Sequence, residues 1–99
     1  MKIITTEVIK DFKGEPIKNE KGQEVTARDI ISIVLNMEDN DHRLTAEKKN
    51  QAFQIGIKLW QDKEIDLTVE QAAFIKERVG YFYSPIIYGR ICELIEGKK

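Results

Sequence analysis

Three tyrosines and three cations crowd the C-terminal quarter of this 99-residue chain: Tyr81, Tyr83 and Tyr88, with Lys76, Arg78 and Arg90 close in sequence. Tyrosine faces stack on flat rings, and guanidinium groups fork onto carboxylates or phosphates. Such a set could hold a nucleotide, its base on a ring and its phosphate on an arginine. Tyrosine and arginine are also the residues enriched where proteins meet. Arg78, Tyr81, Tyr83, Tyr88 and Arg90 are therefore the candidate binding residues. A plainer role competes with both: Phe82 and one tyrosine fill the core while the arginines pair with Glu77 and Glu93.

Other inventories of reactive groups yield little. The only cysteine, Cys92, and the only histidine, His42, lie in different segments. A nucleophilic thiol needs a base beside it, so Cys92 reads as a small packed hydrophobe. No C-x-x-C or H-E-x-x-H pair, nucleophile elbow or phosphate-cradling glycine loop is present. The acidic run Glu38-Asp39-Asn40-Asp41 suggests calcium, yet a loop counted from Asp39 puts Leu44 where an EF-hand requires glycine. Glu70, Glu77, Glu93 and Glu96 occupy polar helix positions, where solvated charge is the default. The sequence thus predicts no catalytic residue, no metal site, no cofactor and no enzyme.

Composition narrows the partners. Sixteen basic residues stand against seventeen acidic ones, leaving a net charge of −1. No electrostatic excess draws the chain to nucleic acid or an anionic membrane. Two helices meeting near Gly80 invite comparison with a helix-turn-helix, but the second, Pro85 to Glu96, offers Arg90 as its only base against two glutamates. Phosphate contacts dominate DNA affinity, so a DNA-binding regulator is the least favoured reading. A single cysteine fits a reducing compartment. No apolar run approaches the roughly 20 residues of a membrane span, and the first residues do not read as a signal peptide. A cytoplasmic location follows as the expectation.

The elements that must position these residues are legible from punctuation and period. The chain is expected to form one domain, mainly α with some β. Residues 1–25 should be a β-hairpin or extended arm, 26–96 a helical core of about four short helices, and 97–99 a frayed tail. In the arm the helical period is missing, and Lys13-Gly14 and Asn19 to Gly22 mark turns. An isolated hairpin is barely stable, so the arm should cover the core as a lid or pair with another chain, the lid being favoured. Thr26 with Asp29, Thr45, and Thr68 with Gln71 announce helix starts, as does Ser84-Pro85. The first helix carries Ile30, Ile33, Val34 and Met37 at helical spacing and, with Ile31 and Leu35 added, should be contacted on more than one side. The second, Ala46 to about Asp62, is apolar almost all round and is expected in the middle of the fold. Gly56 within it suggests a backbone crossing closely there, because glycine costs about 1 kcal/mol against alanine in a helix. Glu64 to Leu67 alternates like a brief extended segment. No internal repeat is apparent.

Two phrases carry a resemblance. D-F-K-G-E-P-I with G-Q-E-V-T-A-R-D-I (Asp11 to Ile30), and E-I-D-L-T-V-E-Q-A-A-F-I-K-E-R-V-G with Y-S-P-I-I-Y-G-R-I-C-E-L-I-E (Glu64 to Glu96), resemble small bacteriophage and prophage proteins of unassigned function. The resemblance implies a phage gene product in a bacterial host cytoplasm. It implies action by binding: inhibiting a host enzyme or a defence system, or aiding assembly. The sequence reading is a non-enzymatic interaction protein with a bacterial or phage protein partner, self-associating as a homo-oligomer. The alternative is a binder that sequesters a nucleotide at the Tyr/Arg corner.

Overall fold

The structure is a computed structural model that describes residues 1–97. Its order is β1 (Lys2–Ile4), α1 (Ala27–Leu35), α2 (Ala46–Gln61), β2 (Glu64–Asp66), α3 (Val69–Phe82) and α4 (Pro85–Glu96). The helix starts fall where the capping residues place them. The Asp29 carboxylate accepts from both the backbone N–H and the hydroxyl of Thr26, each at 2.9 Å. Thr68 and Gln71 satisfy each other's backbone N–H groups at 3.1 and 3.0 Å, and Thr45 Oγ1 accepts from the Lys48 N–H. Gly97 ends α4 in the left-handed conformation, φ 75°. Of the expected frayed tail, Lys98 and Lys99 lie outside the described residues.

The N-terminal sheet is built over long range. β1 pairs antiparallel with β2, Ile3 opposite Ile65, so the first strand's partner lies beyond two helices. Both isoleucines point into the core. The rest of the arm lies on the helices, with Ile9 buried and Ile17 and Val25 packed against the same core. It is held by a closed ring of three backbone hydrogen bonds. Ile9 N–H donates to the Val25 carbonyl, Val25 to Ile17, and Ile17 back to Ile9, at 2.8–2.9 Å.

That ring exposes an internal repeat hidden in the sequence. Ile9-Lys-Asp-Phe-Lys-Gly-Glu-Pro16 and Ile17-Lys-Asn-Glu-Lys-Gly-Gln-Glu24 are two copies of one octad, with Val25 opening a third. Asp11 Oδ1 accepts from the N–H groups of Lys13 and Glu15, and Asn19 Oδ1 from those of Lys21 and Gln23. Gly14 and Gly22 supply the positive φ each turn needs, 84° and 78°. Ile, both Lys and Gly are identical in the two copies, and Asp11/Asn19 and Glu15/Gln23 are isosteric pairs, so the repeat is present in the sequence and the turn geometry shows its purpose. At the tip, Phe12 of the first copy matches Glu20 of the second, and Phe12 is 81% exposed. Phe12→Glu should therefore leave stability within about 0.5 kcal/mol of the parent in urea unfolding.

The helices share out the core differently from the sequence expectation. α1 is the central one: it packs on both α2 and α3 and buries Ala27, Ile30, Ile31, Val34 and Leu35. α2, expected in the middle, buries Ala52, Ile55 and Leu59 and turns its other apolar residues to solvent. Nothing lies within 4 Å of a Cβ built on Gly56, so no backbone crosses there. The close approach is at Gly80 instead, where a Cβ would stand 3.2 Å from the ring of Tyr88. Gly80 does not interrupt α3, which continues to Phe82; it lets α4 fold back against it.

Candidate interaction surface

The structure separates the arginines from the tyrosines. Arg78 is 3% exposed. Its guanidinium donates to the carbonyls of Met37 and His42, two points within the loop between α1 and α2. Arg90 donates through Nε to the Lys10 carbonyl at 3.0 Å and through Nη2 to the Asp11 carbonyl at 2.7 Å. It also pairs with Glu93 at 3.0 Å. Both guanidiniums read as anion donors from sequence serve instead as clamps on the protein's own backbone. Of the expected carboxylate pairings, Arg90–Glu93 forms, whereas the Arg78 hydrogen bonds run to carbonyls. Removing the second clamp, Arg90→Met, should cost about 1–2 kcal/mol. It should also speed amide exchange selectively at Ile9, Ile17 and Val25.

The tyrosines do come together. Tyr81, Tyr83 and Tyr88 line a shallow cleft of about 460 Å³ between α3 and α4, with Lys76, Gly80 and Pro85. The cation in it is Lys76, whose ammonium sits 2.9 Å from Glu96; that bond raises its pKa. Every phenol there is pushed above its ordinary value. The Tyr81 hydroxyl is raised chiefly by donating to Glu77 at 2.7 Å, Tyr83 by burial, and Tyr88 by its contact with Cys92. The cleft therefore offers neutral rings, a carboxylate and a paired lysine, with no guanidinium for a phosphate.

The aromatic corner also recruits a residue that the sequence placed in a solvated loop. The His42 ring lies over Tyr81, centroids 3.9 Å apart, and its edge meets Phe82 at 5.8 Å. His42 Nδ1 lies 2.8 Å from Asp39 Oδ1. The loop is tied down further by Glu38, which accepts from the Leu44 N–H at 2.9 Å. That bond is the main reason the Glu38 carboxyl is held below its ordinary range. A lowered pKa in the folded state means a contribution present at neutral pH and lost as pH falls through the lowered value. The Leu44 amide resonance should therefore titrate below the ordinary glutamate range and move towards its unbonded shift in acid.

A larger apolar surface, which sequence reasoning assigned to the core, covers α1 and α2. Ile33, Phe53, Ile57 and Trp60 are 48%, 66%, 44% and 54% exposed. Phe53, Gly56, Ile57 and Trp60 fall at i, i+3, i+4 and i+7 of α2 and so share one face. With Ser32 they line a cleft of about 490 Å³. A second cleft of about 730 Å³ runs from Ile17 past Ile33 to Tyr83 and Ile87. Trp60 lines both, and it is fixed. Its indole N–H donates to Ser32 Oγ at 2.6 Å, and the Arg28 guanidinium lies 4.9 Å from the ring centroid. Arg28 is anchored in turn on the Thr5 hydroxyl and the Asp62 carbonyl. The signal was present in the sequence as an apolar stripe too wide for a helix with one buried face. Which half of it faced inward was not.

No known protein family, curated protein or solved structure matches this chain. Among the described residues no helix is long and apolar enough to cross a membrane, and no group of three His, Cys, Asp or Glu is placed to hold a metal ion.

Proposed function

We propose that this chain is a non-enzymatic interaction protein that binds another protein through the face of α1 and α2. The observation that carries the reading is Trp60: a large aromatic ring, half exposed between two clefts, held by Ser32 and Arg28. Binding energy concentrates in aromatic anchors of this kind, and an anchor already fixed loses little entropy on docking. A lone exposed apolar residue needs no explanation, but four on one face mark an interaction site. The resemblance of the sequence to small phage proteins supports a bacterial or phage protein as the partner.

The nucleotide reading has less support, since both candidate arginines are occupied by backbone carbonyls. A photoreactive residue at position 57 tests the protein-partner reading. In bacterial lysate it should give an adduct of one defined mass, different from that of two copies of this chain, that Trp60→Lys abolishes, while the same probe at Glu70 on α3 gives none. Equal labelling from both positions would reject the reading.

A further inference from the structure

The tyrosine cleft between α3 and α4 suits a cation, and we propose that it binds a small quaternary ammonium compound, held by its rings and the Glu77 carboxylate. The site is separate from the α1–α2 face and does not depend on how that face is read. Tyr81 and Tyr88 are 45% and 40% exposed, and with Tyr83 they line a cleft of about 460 Å³. That volume lies in the range of small-ligand sites. The negative face of an aromatic ring attracts a cation, and rings gathered around one cleft recognise quaternary ammonium groups. His42 stacks on one face of Tyr81, which leaves the opposite face of that ring. Among the described residues, Tyr81 makes its ring contacts with His42 and Phe82 and none with Tyr83 or Tyr88. The tyrosines therefore do not cover one another.

Charge points to the same ligand. The ionic groups lining the cleft are Lys76 and Glu77. The Lys76 ammonium is already matched, 2.9 Å from Glu96. Glu77 accepts from the Tyr81 hydroxyl at 2.7 Å, but among the described residues no lysine or arginine forms an ion pair with it. A phenol that donates to a carboxylate is polarised towards it, which makes its ring more attractive to a cation. Hydrogen bonding separates the quaternary from the primary form. A primary ammonium brings three N–H donors that each need an acceptor. Two of the three phenols are engaged, Tyr81 with Glu77 and Tyr88 with Cys92. A quaternary ammonium brings no donor, and its methyl groups pack on the rings and on Pro85.

The test is an NMR titration of the full chain with choline. The control is dimethylbutanol, the neutral alcohol of the same shape with carbon in place of the nitrogen. Choline should shift the amides of Gly80 and Tyr88 saturably, and the alcohol should bind about tenfold more weakly. Glu77→Gln keeps an acceptor for Tyr81 and removes the charge, so it should weaken choline about threefold. Tyr88→Leu should abolish the shifts in a protein with unchanged circular dichroism. Equal affinity for choline and the alcohol would reduce the cleft to an apolar patch and overturn the proposal. A spectrum unmoved by choline at every concentration would also overturn it, as would binding that survives both variants. Shifts with adenosine monophosphate and none with choline would overturn it in favour of a nucleotide. Each of these failures leaves the protein-partner reading of the α1–α2 face to its own photocrosslink.

Discussion

Arg78→Met should lower stability by about 3–4 kcal/mol, because it removes a buried guanidinium from two part-buried carbonyls at once. In a chain of this length that shift corresponds to a fall in Tm of at least about 12 °C. Methionine approximates the aliphatic stem, so the loss reports the hydrogen bonds more than the packing. The guanidinium is enclosed, 3% exposed, and its two terminal nitrogens reach Met37 and His42 while Nε has no hydrogen-bond partner. Its ring neighbours, Phe82 at 5.1 Å and Tyr81 at 5.8 Å, add cation–π attraction. Arg78→Lys retains the charge but not the fork that spans two carbonyls, so it should recover only part of the loss. Thermal unfolding followed by circular dichroism measures all three proteins. If the methionine variant melts with the parent, the clamp is not holding the loop. If Arg78 acted on a ligand, its loss would instead spare the fold.

Ile31→Ala should be comparably damaging, about 2–5 kcal/mol by urea unfolding, since it opens a cavity at the centre of the core. Ile31 is fully buried on the helix that packs against both α2 and α3. Its near neighbour Ile33 is the internal control, apolar and on the same helix but 48% exposed. Ile33→Ala should cost less than about 1 kcal/mol, since only part of its side chain leaves water on folding. Equal costs at the two positions would mean that the face of α1 assigned to solvent is in fact covered.

The contrast between these isoleucines shows where sequence reasoning stops. Their chemistry is identical, and the apolar stripe of α1 contains both. In α1 the reading of contact on more than one side holds, since α2 and α3 both lie on it. The same reasoning misplaced α2, whose Phe53, Ile57 and Trp60 read as core and stand in water. Periodicity reports how much of a helix is apolar, and it cannot say which neighbours exist to cover it. The glycines carry the same lesson. Gly56 and Gly80 look alike in a helix, but only Gly80 has a ring, that of Tyr88, lying against it.

The candidate binding residues were legible in type and not in placement. Tyr81, Tyr83 and Tyr88 converge as their spacing allows, because α3 and α4 are adjacent in sequence and fold back directly. Arg78 and Arg90 were drawn away by acceptors about 40 and 80 residues earlier in the chain, at Met37, His42, Lys10 and Asp11. No local pattern announces such partners.

What the sequence by itself determined here is local: the helix starts at Thr26, Thr45, Thr68 and Ser84, the turns at Gly14 and Gly22, and the brief strand before α3. Each is decided by hydrogen bonds or dihedral limits spanning a few residues, so the residue types suffice. Only the tertiary structure decided that β1 seeks β2 across two helices, that three octad positions close a ring, that two arginines clamp backbone segments, and that half of the α2 stripe stays exposed. Those outcomes depend on which distant surfaces meet, and that is set by burying the whole chain's apolar area at once, a sum no single stretch contains.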